Sequence, residues 1–201
     1  MLRLGRRSYG EVLPIQRDLQ AAVMEGGEET LVLVEHEAVI TLGRGADERH
    51  VLAARVPVVR VNRGGDVTYH GPGQLVGYPI LDLSRRGHDV HRYLRELERA
   101  LILAVAGFGV VATRRSGMTG VWVEDDKLAA IGVGVRRWVT MHGFALNVAD
   151  LRDEFSMIVP CGLVGKGVTS LEQLTGREPG MAEVEDAATA AISTVFGESS
   201  R

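Results

Sequence analysis

Hydrophobic residues recur with two different periods along the chain, and these periods predict helices interspersed among strands. Ser8 and Glu11 form a possible capping box, after which apolar residues follow at helical spacing until Gly26–Gly27. Pro14 lies inside this predicted helix, where it should kink the helix or move its start closer to Leu13. The first helix is therefore predicted with two alternative starts.

The remaining elements follow from the same patterns. Asp89 can cap a long helix that ends at Gly107, and two short helices are predicted near Ser170–Leu174 and Met181–Phe196. Strands are predicted at residues 1–6, 31–35, 38–42, 56–62, 67–70, 75–81, 110–113, 120–123, 127–135 and 138–148. Strands outnumber helices, so we expect an α/β (α+β) fold with a mixed sheet, and no linker divides residues 1–201 into two domains.

Composition and charge argue against several classes of protein. The 201 residues suit one domain, and a formal net charge of −3 argues against a general nucleic-acid binder. The longest apolar stretch, residues 101–112, is too short to span a bilayer, and the N-terminus lacks the apolar core of a signal peptide. A single cysteine excludes an internal disulfide and fits a reducing compartment. We therefore expect a soluble, cytoplasmic protein.

The stretch of residues 63–80 combines several glycines with many polar side chains. Glycine lets a ligand or another backbone come close, and polar side chains on such a backbone are typical of a binding wall. Two polar hairpin turns would give the same pattern, and local sequence does not choose between these interpretations. The polar residues concerned are Arg63, Asp66, Thr68, Tyr69, His70 and Gln74.

Cys161 is the candidate nucleophile. A lone cysteine is commonly a small buried apolar residue, but Cys161 stands between Pro160 and Gly162 in a glycine-rich segment, where a thiol can be presented for reaction. A free thiol has a pKa of about 8.5, so a nearby cation would be needed to increase its thiolate fraction. Lys127, His70 and His142 are the candidates for that role, and their spacing in the sequence does not choose among them.

No motif for a metal or nucleotide is present in the sequence. The chain contains no Cys-x-x-Cys or His-Glu-x-x-His pair, and its glycine patterns lack the Gly-Lys-Ser/Thr of a phosphate-binding loop. We therefore predict a site with no metal and no cofactor.

Several motifs together resemble the signature of the lipoyl(octanoyl) transferase family. The pieces lie in the family's order and cover most of the chain, which makes the joint match far more specific than any single glycine motif. They are Arg63-Gly64-Gly65, Thr68, His70, Gly73-Gln74, Tyr78, and the segments 41–44, 126–132, 142–147 and 160–162.

The resemblance implies an activity, a fold and partners. The enzyme would take an octanoyl group from acyl carrier protein and place it on the ε-amine of one lysine in a lipoyl domain. Its acceptors would be the lipoyl domains of 2-oxoacid dehydrogenase complexes and the glycine cleavage H protein. The family's fold is a mixed central β-sheet flanked by helices, and it resembles the catalytic domain of biotin and lipoate protein ligases.

The resemblance also implies roles for individual residues. Cys161 would carry the acyl group as a thioester, and Lys127 would lower the pKa of the thiol and shuttle the proton. The predicted substrate-binding residues are Arg63, Gly64, Gly65, Asp66, Val67, Thr68, Tyr69, His70, Ala130, Ile131, Gly132, Gly143, Phe144 and Ala145. The acyl tail would meet apolar residues such as Leu42, Val76, Ile131 and Phe144, each of which is equally typical of an ordinary core.

Two other functions remain as alternatives. One is an ATP-dependent lipoate or biotin ligase, which shares the general fold and a lysine near position 127 but does not need a nucleophilic cysteine. The other is a non-catalytic module that only binds lipoyl domains or acyl carrier protein. Both protein substrates are acidic, so a local basic face is expected, with the pair Arg136–Arg137 as the candidate and with Arg63 and Arg44 nearer the site.

Overall fold

The computed structural model describes residues 1–159 and 167–197, and this part of the chain forms ten strands, five α-helices and two short 3₁₀ helices. The strands are β1 (Leu2–Arg7), β2 (Thr30–His36), β3 (Val39–Leu42), β4 (Val58–Arg60), β5 (Val67–His70), β6 (Gln74–Ile80), β7 (Thr113–Arg115), β8 (Met118–Val123), β9 (Asp126–Arg136) and β10 (Val139–Asn147). The helices are α1 (Tyr9–Met24), α2 (Val90–Ala106), α3 (Arg152–Phe155), α4 (Leu171–Thr175) and α5 (Met181–Gly197).

Two sheets form the framework. The larger sheet has seven strands in the order β1-β2-β6-β10-β9-β8-β7, and only its β1–β2 pair is parallel. The smaller sheet has the order β4-β3-β5, with β3 parallel to β4 and antiparallel to β5. The prediction of a mixed sheet in an α/β (α+β) fold is therefore confirmed.

Helices cover both faces of the larger sheet. Helices α2 and α5 pack against one face in the largest apolar cluster, which includes Leu33, Leu97 and Ile192. Helix α1 packs against the opposite face through Val12 and Val23. The smaller sheet has its own apolar cluster on the side that holds α3. Each sheet thus has a dedicated core, and polar side chains are concentrated between the two sheets.

Helix α1 begins where its capping box predicts. The Ser8 hydroxyl accepts the backbone N–H of Glu11, and the Glu11 carboxylate accepts the backbone N–H of Ser8 in return. The alternative start near Leu13 is wrong, because these two bonds satisfy the donors of the first turn. Pro14 lies inside the helix, whose described residues continue without interruption to Met24.

One predicted strand is displaced, and helix α3 and two short 3₁₀ helices, Glu48–His50 and Leu83–Arg86, were not predicted. Residues 110–112 form no strand, because Val110 and Ala112 turn inward to pack against α2 and α5 while Val111 is 84% exposed. The strand β7 begins only at Thr113, which pairs with Trp122. Strand β7 and helix α3 have three and four residues, too few for a period to be recognised.

The close approach of the strands requires glycine at Gly143. A Cβ atom on Gly143 would lie 2.2 Å from the carbonyl oxygen of Gly77 on the neighbouring strand β6. Gly132, which is paired with Gly143 in the register of β9 and β10, leaves room for the Arg63 side chain and the Gly64 backbone. The missing side chain at Gly132 thus lets the Arg63 segment lie against β9.

The capping box gives a prediction about stability. We expect Ser8→Ala to lower the free energy of unfolding by about 1 kcal/mol, because the N–H of Glu11 loses its acceptor. Urea denaturation of the purified chain measures this change. Ser116→Ala is the matched control, since Ser116 is exposed in the turn between β7 and β8 and its hydroxyl makes no hydrogen bond in the described part of the chain. Equal stability of the two variants would contradict the role of the capping box.

Candidate active site

A cavity lies between the two sheets and is closed at one side by the start of helix α1. Strands β6, β9 and β10 supply one wall, and strand β5 with the loop before it supplies the other. The lining residues are Tyr9, Arg63, Gly65, Asp66, Thr68, His70, Val76, Tyr78, Ala130, Ile131, Gly132, His142, Gly143, Phe144 and Ala145.

Most residues predicted to bind substrate lie in this lining, and three do not. The exceptions are Gly64, Val67 and Tyr69. Side chains alternate between the faces of a strand, so Val67 and Tyr69 point away from the cavity. Tyr69 instead packs edge-on against Phe155, with ring centroids 5.9 Å apart. Gly64 donates its N–H to the carbonyl of Val133 at 2.8 Å, which ties the loop to strand β9.

The apolar residues expected to contact the acyl tail also fall into two groups, those that line the cavity and one that does not. Val76, Ile131 and Phe144 line the cavity. Leu42 does not, because it packs with Val67 in the core of the smaller sheet. For Leu42 the interpretation as ordinary core is therefore correct.

Arg63 brings a buried positive charge to the cavity wall. Only 7% of the residue is exposed, and its guanidinium donates to the Thr41 carbonyl at 2.8 Å and to the Thr41 hydroxyl at 2.9 Å. A third N–H group donates to the carbonyl of Gly64 at 3.0 Å. These bonds compensate for part of the solvation that the guanidinium loses on burial.

Two buried histidines, His70 and His142, line the cavity, a third, His36, contacts the cavity-lining Tyr78, and all three are neutral. Burial lowers the pKa of His36 to about 4 and that of His142 to about 4. Burial also lowers the pKa of His70 to about 3, with further lowering by the charges of His36 and Arg63. The charged form of each ring is disfavoured because it would lose water without gaining a carboxylate partner. At neutral pH these rings therefore act as hydrogen-bonding groups.

His142 adopts an unusual backbone conformation within a strand. Its φ angle is 60°, a left-handed value that costs a non-glycine residue about 1–3 kcal/mol. Three contacts hold the residue there. Its N–H donates to Gln16 Oε1 at 3.1 Å, its Nε2 lies 2.6 Å from Asn62 Oδ1, and its Nδ1 lies 3.4 Å from the Tyr9 hydroxyl. This network fixes one side of the cavity.

Lys127 lies in a hollow that adjoins the cavity. The two spaces share Gly65, Asp66 and Ile131 as lining residues. Lys127 is only 7% exposed, and its ammonium lies over the Trp122 ring at 4.8 Å from the centroid. The lysine stem packs beside Gly120, whose N–H donates to the buried carboxylate of Glu98 at 3.0 Å.

Cys161 and its neighbours Pro160 and Gly162 lie outside the described residues. The chain is anchored on both sides of that segment. Val159 donates its N–H to the carbonyl of His50 at 2.8 Å. On the other side, the backbone N–H of Lys127 donates to the carbonyl of Gly167 at 3.1 Å. The segment that contains Cys161 therefore leads directly into a residue bonded to Lys127.

Several residues of the site were not recognised in the sequence. Tyr9 lines the cavity, His36 contacts the Tyr78 hydroxyl, and Gln16 accepts the backbone N–H of His142. One signal was available, because Gln16 and Gln20 occupy the buried face of α1 together with Val12. A polar residue in the apolar register of a helix indicates a specific buried partner.

The described residues give two further findings. Among them, no group of three or more histidine, cysteine, aspartate or glutamate side chains is arranged to hold a metal ion. No helix in the described part of the chain has the length and apolar character needed to cross a bilayer.

Comparison with known proteins relates this architecture to lipoylation enzymes. The family model of the lipoyl protein ligase A/B catalytic domain matches residues 8–193. An octanoyltransferase of Geotalea uraniireducens is 56% identical over 186 residues, which cover 92% of this chain and 87% of the relative.

Solved structures with low sequence identity share the fold. A crystal structure of lipoate-protein ligase A bound with ATP has a TM-score of 0.74 at 14% identity and covers 98% of this chain and 85% of its own. Biotin protein ligase from Aquifex aeolicus has a TM-score of 0.54 at 13% identity, with 98% and 68% covered. The expected resemblance to the catalytic domains of lipoate and biotin ligases is confirmed at the level of the fold.

The neutral histidines predict a loss of stability in acid. The unfolded chain protonates His36 below a pKa of about 6.5, whereas the folded chain does so only near 4. The unfolded state therefore binds more protons between these values, and the free energy of unfolding falls as the pH falls through this window. We expect His36 to account for about 2 kcal/mol of the loss between pH 7 and pH 5.

Urea denaturation at both pH values tests this expectation. The loss between pH 7 and pH 5 should be smaller by about 2 kcal/mol in His36→Gln than in the unmodified chain. His91→Gln serves as the control, because His91 is exposed on α2 and should leave the pH dependence unchanged. An identical pH dependence in His36→Gln and the unmodified chain would show that His36 is not buried in its neutral form.

Proposed function

Because the chain belongs to the octanoyltransferase family and carries a lipoyl protein ligase A/B catalytic domain, we propose that it transfers octanoyl groups during protein lipoylation. The donor in this proposal is the thioester of acyl carrier protein. The acceptor is the ε-amine of one lysine in a lipoyl domain. Residues 1–201 act as a single catalytic domain.

The observation that carries the proposal is a buried lysine beside a cavity between two sheets. The cavity has apolar walls at Val76, Ile131 and Phe144, and its polar end holds Arg63. The hollow of Lys127 shares one wall with this cavity. A lysine is seldom buried without a specific role, since burial removes water from its charge. This arrangement suits a reaction in which an apolar chain is held while its carbonyl carbon is attacked.

The proposed chemistry has two steps, and Cys161 is the nucleophile in the first. The Cys161 thiolate attacks the carbonyl carbon of the donor, a new C–S bond forms, and the C–S bond to phosphopantetheine breaks. The departing thiolate takes a proton from the Lys127 ammonium. In the second step the acceptor amine attacks the same carbonyl, forming the amide and releasing the Cys161 thiolate. The proton lost by the amine returns to Lys127, which completes the cycle.

The backbone contacts of Lys127 support its pairing with Cys161. The segment that contains Cys161 leads into Gly167, which accepts a hydrogen bond from the Lys127 N–H. The histidines are poorer candidates for the proton transfer, because burial lowers the pKa of both His70 and His142 far below neutrality. A general base works best when its pKa lies near the working pH.

The acyl tail is proposed to occupy the cavity between the sheets. The substrate-binding residues in the proposal are those predicted residues that line it, together with Tyr9, Val76, Tyr78 and His142. The cavity volume is about 40 Å³, which has room for only a few water molecules. We therefore expect wall side chains such as Phe144 to move when an eight-carbon chain enters.

The turn at Gly71–Gln74 is a poor source of N–H donors for the oxyanion of the tetrahedral intermediate. The N–H of Gly73 already donates to Glu35 Oε1 at 2.7 Å, and the N–H of Gln74 donates to the carbonyl of Gly71 at 3.2 Å. The oxyanion donors are better sought near Cys161.

The proposed partners are acyl carrier protein, the lipoyl domains of 2-oxoacid dehydrogenase complexes and the glycine cleavage H protein, all in the cytoplasm. These acidic partners require a basic surface near the cavity. Arg137 of the sequence-based candidate pair contacts Glu25 at 3.6 Å, and Arg60 contacts Glu48 at 2.5 Å, so ion pairing does not choose between the two surfaces. Arg17, Arg44 and Arg60 line an open hollow together with Asn62, whose side chain contacts His142. We therefore place carrier docking on this hollow, in preference to Arg136–Arg137.

An ATP-dependent ligase is the second candidate function. The shared fold with lipoate-protein ligase A favours it, since that protein was crystallised with ATP. The octanoyltransferase relative is far closer in sequence, at 56% identity against 14%. The transferase is therefore the first choice.

The two functions differ in their requirement for ATP. We expect the purified chain to move octanoyl from octanoyl-acyl carrier protein to a lipoyl domain with no nucleotide present. Intact mass of the lipoyl domain measures the transfer. A lipoyl-domain variant with its acceptor lysine replaced by arginine is the control. Transfer that occurs only with ATP and free octanoate would establish the ligase instead.

The cavity wall gives a prediction about chain length. Ala130 and Ala145 are paired in the register of β9 and β10, and both line the cavity. We expect Ala130→Leu to reduce octanoyl transfer at least about tenfold while butanoyl transfer changes far less, because the larger side chain fills space that a long tail needs. Ala130→Ser is the matched control. Equal losses for both acyl chains would place the tail elsewhere.

A further inference from the structure

A chain of buried hydrogen bonds runs from the cavity wall to the backbone of Lys127. It begins at Arg63 and ends at the carbonyl oxygen of Lys127, and every member is at least nine-tenths buried. Its members in order are Arg63, Thr41, His70, Gln74, Asn147, Thr169 and Lys127. The mechanism proposed above uses only the last of these for proton transfer.

The direction of each bond is fixed from one end. The carbonyl oxygen of Thr169 can only accept, so the group of Asn147 that lies 3.0 Å from it is the amide Nδ2. Asn147 Oδ1 then faces Gln74 and accepts from Gln74 Nε2 at 2.9 Å. Gln74 Oε1 is left facing His70 Nδ1 at 2.8 Å. Since Oε1 can only accept, the proton of the neutral His70 ring resides on Nδ1.

The Arg63 end of the hydrogen-bond network agrees with this placement of the His70 proton. Two N–H groups of Arg63 donate to the Thr41 hydroxyl oxygen, at 3.3 and 2.9 Å. The hydroxyl hydrogen of Thr41 is therefore free to point to His70 Nε2, which lies 3.4 Å away. An unprotonated Nε2 is the acceptor that this arrangement requires. Reversing any one amide would bring two acceptors or two donors together in a buried site, which is costly.

Two backbone hydrogen bonds connect the network to Lys127. The Thr169 N–H donates to the Lys127 carbonyl at 3.1 Å, and the Lys127 N–H donates to the Gly167 carbonyl at 3.1 Å. Lys127 needs this support because the pairing of β8 with β9 shifts register between Val121 and Trp122, immediately opposite it. A lysine at an irregularity in a ladder is held less firmly by the sheet alone.

From this chain of bonds we propose that Gln74 and Asn147 are positioning residues, which hold His70 in its Nδ1–H form and fix the Lys127 backbone for catalysis. The catalytic part rests on the proposed function of Lys127. His70 then has no free acceptor for a substrate proton, since Nδ1 donates to Gln74 Oε1 and Nε2 accepts the hydroxyl hydrogen of Thr41.

The tautomer is tested without any measurement of activity. Nitrogen-15 NMR of histidine-labelled protein distinguishes the two neutral tautomers of His70. The proposal predicts a protonated Nδ1, and a protonated Nε2 would overturn the network. Assignment comes from the signal that is absent in His70→Gln. This measurement stands even if the chain transfers no acyl group, so failure of the network and failure of the proposed function are distinguished.

The positioning role is tested by two glutamine substitutions. Gln74→Leu removes the link between His70 and Asn147. Gln20→Leu is the matched control, because Gln20 is also buried and donates to a backbone carbonyl, that of Val139 at 2.9 Å, away from the network. Single-turnover acylation by octanoyl-acyl carrier protein should slow about 10- to 100-fold in Gln74→Leu, with the donor concentration for half-maximal rate nearly unchanged. The control should remain within about twofold of the unmodified chain.

The pH dependence separates positioning from a general loss of structure. Displacing Lys127 weakens its support of the thiolate, so the acylation profile of Gln74→Leu should move to higher pH while that of Gln20→Leu stays in place. If Gln74→Leu does not fold, Asn147→Asp, which conserves volume but replaces the donor facing Thr169, takes its place. An unchanged rate and profile in the folded variant would overturn the positioning role.

Discussion

Polar groups buried between two sheets must find hydrogen-bond partners, and this constraint shapes the rest of the site. Arg63, three neutral histidines and several amides lie where the sheets approach. Each of the three rings contacts at least one fixed partner, as His36 does with the Tyr78 hydroxyl at 2.7 Å. The same constraint explains the strained backbone of His142, because its contacts with Gln16 and Asn62 offset the cost of the left-handed conformation.

The buried polar groups between the two sheets connect the cavity to Lys127. Burial keeps the histidines uncharged, so the positive charges near the cavity come from Arg63 and Lys127. The network that aligns Gln74 and Asn147 continues into the backbone beside Lys127. A site organised in this way can hold an acyl chain in one place and direct proton transfer to one amine, without charged histidines competing for the proton.

Local signals in the sequence predicted local structure well, and contacts between distant segments poorly. The capping box at Ser8 and the cap at Asp89 gave correct helix starts, because each depends on residues only three apart. Residues 110–113 were assigned as a strand from their apolar character, yet Val110 packs inward without pairing. The resemblance of motifs gave most of the cavity lining. Tyr9 was missed, because its place at the cavity depends on how α1 packs against the sheet.

The central claim is that Cys161 carries the acyl group while the cavity between the sheets holds its tail. Peptide mass mapping of the chain after incubation with octanoyl-acyl carrier protein, quenched in acid, tests this claim most directly. The account predicts one octanoyl group on the peptide that contains Cys161, and its loss after treatment with neutral hydroxylamine, which cleaves thioesters. An octanoyl group on a lysine of the chain, or an unmodified Cys161 in protein that still transfers octanoyl to a lipoyl domain, would contradict it.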